Sequence, residues 1–257
     1  MGGVIILMHS SKTMRRPNTG HQPTGTPVLV DKARELVDEL RALPAAKLAK
    51  IMTVSPDLAD KTRQQFADWS TDPAELAPAA ESFVGDIYSG LQVDTFTAAQ
   101  RRYADKHLRI LSGLYGILRP FDGIAPYRLE MGYKLPRGNM YDFWGRSIAD
   151  ELPAKGPIVN LAAVEYSKTV TRYVDPERLV TPKFLTVDPK SGQPKFVTVH
   201  AKIARGAFAR WLVTSGGKEL AEFAEIGYRH EPAHGTGREP AFVCAEFGGK
   251  GLSIRLT

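Results

Sequence analysis

His9-Ser10-Ser11-Lys12-Thr13 follows directly on the apolar run Val4 to Met8. A chain leaving a buried strand can present side chains and amides to a ligand. A lysine among hydroxyls, here Ser11 and Thr13, can hold a phosphate, or act as base or nucleophile once burial lowers its pKa. His9 is a second group suited to that role. No Gly-rich loop precedes Lys12, so a Walker-type phosphate site is excluded. A polar loop with a solvated lysine is the plainer alternative.

A second stretch, HLRILSGLYGILRPFDGIAPYRLEMG from His107 to Gly132, crowds four glycines, two prolines, Arg109, Arg119, Arg128 and Glu130 among leucines and aromatics. Gly113 and Gly116 flank a turn whose amides could meet a phosphate, because glycine lets the backbone approach closely. Arg101, Arg102, Lys106, Arg109 and Arg119 could neutralise further phosphates without reading bases. That arrangement is close in kind to a helix-hairpin-helix, which grips a nucleic-acid backbone regardless of sequence. In Pro126-Tyr127-Arg128-Leu129-Glu130, the tyrosine could stack and the charged pair could meet a base edge. Alternatively, Arg128 and Glu130 form an internal network closing a loop.

Other chemistries find no support. The histidines are isolated: His9 and His21 lie twelve apart in a loop-like stretch, and His230 and His234 have no cysteine beside them. No metal or other cofactor is expected. There is no G-x-S-x-G elbow. The single cysteine, Cys244 in AFVCAEF, reads as a buried inert thiol and points to a cytoplasmic setting. No run of apolar residues is long enough for a membrane span. The opening lacks the basic start of a secretory signal. Net charge is +6, with a pI near 9.3, which favours an anionic partner or merely aids solubility.

These residues need elements to position them. Val4 to Met8 reads as a buried strand and Ser10 to Gly25 as a loop. Helices are expected over Asp31–Leu43, Pro56–Trp69 with Ser55 as N-cap, Ala74–Phe83, Thr97–Lys106, Tyr141–Leu152 and Lys202–Thr214. Strands are expected over Ile158–Leu161, Lys183–Val187, Lys195–His200, Ala241–Phe247 and Leu252–Arg255, with a hairpin at LTVDPKSGQPKFVTV. There is no repeat, linker or regular βαβ alternation. The chain therefore reads as one mixed α+β domain over 1–257, with the hairpin element near 101–120.

The text HLRILSGLYGILRP, followed by PYRLEMG, FWG, NLAAVEYSK and AKIARG, with SKT and GDIYSGL before it, closely resembles the YaaA family of peroxide stress proteins. The resemblance runs through nearly the whole chain. It implies an α+β protein of unusual fold, with a helix-hairpin-helix on Leu111–Leu118 that binds DNA, and a role in protection against hydrogen peroxide. It also marks Lys12, Arg128, Glu130, Asn160, Glu165, Tyr166, Lys202 and Arg205 as family-typical polar positions. The family usually reads Ser-Pro-Ala-Lys-Thr where this chain has His9-Ser10-Ser11-Lys12-Thr13.

Two readings follow. In the first, the protein grips duplex or branched DNA through its phosphates, whatever the sequence. In the second, mixed polar groups build a small-molecule site for a nucleotide, nucleobase or amino-acid-like substrate. There Lys12 or His9 would be base or nucleophile, Glu165 or Glu130 an acid/base partner, and Arg128 and Arg205 anion clamps. The second requires these residues to converge, with Lys12 shielded from water. Oligomeric state is not legible.

Overall fold

The computed structural model describes residues 3–217 and 219–251. Strand β1 (Ile5–His9) is buried along its whole length. It lies at the centre of a five-stranded sheet with β2 (Leu108–Ser112), β3 (Gly116–Leu118), β4 (Ile158–Asn160) and β5 (Leu179–Val180), in the order β5-β4-β1-β2-β3. β1 runs parallel to both β2 and β4, with Leu7 opposite Arg109 and Asn160. A strand covered on both faces reads as an unbroken apolar run, which is why Ile5 to Met8 show no alternation. After β1 the chain first builds the β2 side of the sheet and later returns to build the β4 side. A crevice therefore opens beside β1 at the carboxyl ends of these strands, where ligands commonly bind.

A second sheet contains β6 (Lys183–Val187), β7 (Pro194–Lys195), β8 (Tyr228–His230) and β9 (Ala241–Cys244), in the order β7-β6-β9-β8. One hydrophobic cluster takes in residues of both sheets, from Ile6 and Leu7 to Phe184 and Phe242. The architecture is mixed α+β, as expected.

The helices are α1 (Val30–Arg41), α2 (Ala45–Met52), α3 (Pro56–Ala67), α4 (Asp86–Leu91), α5 (Ala98–His107), α6 (Met140–Trp144), α7 (Ser147–Asp150), α8 (Val164–Thr171) and α9 (Thr198–Ser215). α1 buries Ala33, Leu36, Val37 and Leu40, the stripe its spacing sets out. Ser55 caps α3 by accepting from the Leu58 amide, and Thr97 and Gln100 form a capping box on α5. α4 and α9 touch backbone to backbone: a Cβ on Gly206 would lie 1.8 Å from the Ile87 carbonyl oxygen, and one on Gly90 would lie 2.1 Å from that of Ile203. This contact brings the start of α9 against the start of α4.

Several expectations are corrected. No helix covers 74–83: Pro78 interrupts it, leaving the short strands Ala77–Pro78 and Phe83–Val84 around one turn, Ala79–Ser82. The helix expected over 141–152 divides into α6 and α7 at Gly145, whose φ is +48°. The hairpin near 183–200 forms, with Thr186 opposite Lys195, but its second strand ends at Lys195 and α9 begins at Thr198. The strand expected at Leu252–Arg255 lies outside the described residues.

The largest correction concerns Leu111–Leu118. No helix-hairpin-helix forms there; β2 and β3 pair antiparallel, Leu111 opposite Ile117, as a β-hairpin on the sheet edge. Every residue from Leu111 to Leu118 is buried. Gly116 takes φ +70° in the turn, while a Cβ on Gly113 would lie 2.3 Å from the Leu129 carbonyl oxygen. These glycines serve packing and turning, so their amides are not offered to a phosphate.

Candidate functional site

His9 ends β1 inside the crevice and is 9% exposed. Its Nδ1 accepts the Ala163 amide at 3.2 Å, so the ring proton sits on Nε2. The ring stacks on Tyr166, centroids 5.1 Å apart. Burial, with help from the nearby charges of Arg205 and Lys202, lowers its pKa from 6.5 to about 3. His9 is therefore a neutral donor through Nε2–H, and the base expected from its residue type is not available.

The loop after β1 is fixed from several sides. Tyr88 donates its hydroxyl to the His9 carbonyl at 2.9 Å. The Ser10 amide donates to Leu111, and the Ser10 side chain lies near the Tyr127 and Tyr166 phenols, favouring their ionised forms slightly. Ser11 Oγ donates to the Val84 carbonyl, and Thr13 pairs with Val84 in a two-residue ladder. Tyr127 also meets Ser112 Oγ at 2.7 Å. Burial raises the Tyr88 and Tyr166 phenols and pushes Tyr127 up to about 12. All three remain protonated donors at ordinary pH.

The cleft has a volume of about 410 Å³. Lys12, Glu130, Glu165, Tyr166 and Lys202 line it together with His9 and Asp86. Residues more than 100 positions apart in sequence thus meet at one place. Lys12 Nζ lies 2.7 Å from Glu130 Oε2, with side chains 59% and 12% exposed. Lys12 is a half-exposed ion-pair partner, so the shielded amine required of a base or nucleophile is not realised. Glu165, in the first turn of α8, accepts the Gly132 amide at 2.7 Å through Oε1. Arg128 reaches the Lys12 carbonyl at 3.2 Å; it buttresses the loop instead of lining the cleft. Asn160 also stands outside the lining: its Oδ1 accepts the Ala162 amide and shapes the turn into α8.

Lys202 and Arg205 come from the first half of α9. Burial lowers the Arg205 pKa, and no carboxylate contributes to offset it. Among the described residues neither cation has a carboxylate within ion-pair distance. Lys202, the His9 Nε2–H and the Tyr166 phenol thus form a donor-rich pole, and Arg205 adds its charge at His9 without lining the cleft. Glu130, Glu165 and Asp86 lie on the remaining wall. Asp86 and Ser10 were missed by the residue-type reading. The sequence sign was Gly85-Asp86 opening a helix inside GDIYSGL.

Of the residues expected to grip nucleic acid, Arg101 and Arg109 are engaged within the protein itself. Arg101 turns inward to Glu81 at 2.7 Å and lies over the Phe121 ring at 3.9 Å. Arg109 donates to the carbonyls of Asp105 and Leu108, and burial, followed by the Arg119 charge, lowers its pKa. Arg102, Lys106 and Arg119 are exposed. Cys244 is buried, and its thiol pKa is raised by burial and then by Glu246. Among the described residues no three His, Cys, Asp or Glu side chains are placed to hold a metal ion. No described helix is long and apolar enough to cross a membrane.

Comparison with known proteins places this arrangement in context. Residues 4–234 match the family described as peroxide stress protein YaaA. A UPF0246 protein of Salinispora tropica is 56% identical over 98% of both chains. UPF0246 proteins of Shewanella denitrificans and Cellvibrio japonicus are 38% and 40% identical, over 93% and 86% of this chain and 98% and 90% of their own. The match spans β1, the 107–132 segment and α9, the three stretches from which the cleft is assembled. The chain belongs to the peroxide stress protein YaaA family.

Proposed function

We propose that this protein binds a small organic anion, of nucleotide or amino-acid-like size, in the cleft at the end of β1, and that this cleft carries its part in the response to peroxide. One observation supports the reading above others. Lys202, which lines the cleft, and Arg205 both act on the neutral His9 donor at the carboxyl end of a parallel sheet, and neither has a carboxylate partner among the described residues. Arg205 is partly buried, and a buried cation left unpaired is costly unless an anion offsets it. The cleft volume of about 410 Å³ suits such a ligand. Bound there, the ligand's anionic group meets Lys202 and the His9 Nε2–H, with the Arg205 charge acting at His9, leaving Glu130 and Glu165 to take or give a proton at its other end. Nucleotides, nucleobases and amino acids screened by thermal shift test this. Ligands that raise the wild-type Tm should leave Lys202→Met/Arg205→Met unmoved, and a ligand raising both equally would contradict the assignment.

A second reading rests on Arg102 and Lys106. They stand one helical turn apart on α5, both exposed and, among the described residues, without a carboxylate in ion-pair distance. With a net charge of +6, they give a sequence-independent contact with a DNA backbone. In this reading the exposed face of α5 grips the phosphates, and the buried β-hairpin takes no part.

A further inference from the structure

On the other side of the hairpin from the cleft, Tyr115 is 1% exposed. Its phenolic oxygen accepts two hydrogen bonds, from Trp69 Nε1 at 2.8 Å and from the Ala125 amide at 3.1 Å. Both partners are donors, so the phenol's own proton must go elsewhere. Among the described residues no acceptor meets it. Burial raises the Tyr115 pKa, so that proton stays on the oxygen. Tyr115 lines a cavity of about 350 Å³. Ser70 and Thr71, which follow Trp69, line it too, as does Gly123, two residues before Ala125. Pro27, Val30 and Leu76 supply apolar surface, and Gln22 and Thr26 close the rim; no lining residue carries a charge.

We propose that this cavity is a second binding site, for a small uncharged ring compound whose carbonyl or ring nitrogen accepts the Tyr115 hydroxyl proton. An apolar body with one acceptor matches apolar walls with one buried donor, because a buried donor left unmet is unfavourable. A charged ligand would be desolvated there with no opposite charge to meet it. The site is separate from the cleft at His9 and does not depend on the function assigned to that cleft.

The test uses benzamide, benzoate and benzylamine, which share ring and size and differ in charge, in ¹H–¹⁵N NMR titrations of the whole chain. Benzamide should give saturable shifts at the Trp69 indole N–H and the Ala125 amide, with benzoate and benzylamine giving none. Tyr115→Phe should weaken benzamide binding about tenfold, the worth of one hydrogen bond to a buried donor. That change also removes the acceptor of two N–H groups and so strains the fold. Thr26→Trp, at an exposed position on the rim, blocks the mouth without touching the core and should abolish the shifts. Equal binding of all three probes, no saturable shift with benzamide, or unchanged benzamide binding by Thr26→Trp would overturn the proposal.

Discussion

At the scale of single residues, His9 couples the cleft to folding. In the unfolded chain its imidazole takes a proton near pH 6.5, and in the folded protein only near 3. Between those values the unfolded state binds more protons, so stability rises with pH and falls as pH drops from about 6.5 towards 3. Urea midpoints measured at pH 6.5 and pH 4 should therefore fall further for wild type than for His9→Gln, which has no proton to gain. Parallel losses in the two proteins would contradict a buried neutral imidazole. Lys12 acts through Glu130. Lys12→Met should keep the fold but leave a largely buried carboxylate without its cation. A lowered Tm at pH 7 that recovers in Lys12→Met/Glu130→Gln would confirm the pairing, and no recovery would refute it.

Among the elements, the contact of α4 with α9 sets the cleft, because it brings Asp86 and Lys202 into one lining. Gly206→Ala would drive a methyl into the Ile87 carbonyl, and overpacking of that kind costs about 1–3 kcal/mol. A lowered denaturation midpoint is expected, with loss of anion binding even where the fold survives. Unchanged stability would mean the helices are less tightly apposed. Gly113→Val should destabilise for the same reason, against Leu129. Such contacts explain which elements were legible in the sequence. β1, α1, α3, α5 and β6 were, because each carries a complete local signal: an unbroken apolar run, a helical stripe, or a cap. The hairpin at 111–118 was misread because glycines that pack against Leu129 and Trp144 look, in sequence, like glycines freed for a ligand. α4 and α8 were overlooked because short helices held by tertiary contacts need no strong periodicity.

For the whole molecule, charge and cleft make separable claims. If the exposed face of α5 grips DNA, Arg102→Ala/Lys106→Ala should lower the slope of log K against log salt by about two contacts' worth, roughly 0.9 each. Arg101→Ala should leave that slope unchanged, because Arg101 is committed to Glu81. An identical slope in wild type and the double variant would remove α5 from any DNA contact. The sequence marked most of the cleft's residue types through their family-typical positions. Their convergence was not readable, because it depends on β1 lying between β2 and β4 and on the packing of α9. The most direct measurement is an inorganic phosphate titration followed by NMR at the Ala163 amide and the His9 Nε2–H, on wild type and Lys202→Met/Arg205→Met. The account predicts saturable shifts at both groups in wild type, weakened by added salt and absent from a double variant of unchanged Tm. Shifts of equal size in both proteins, or none at these groups in wild type, would contradict it.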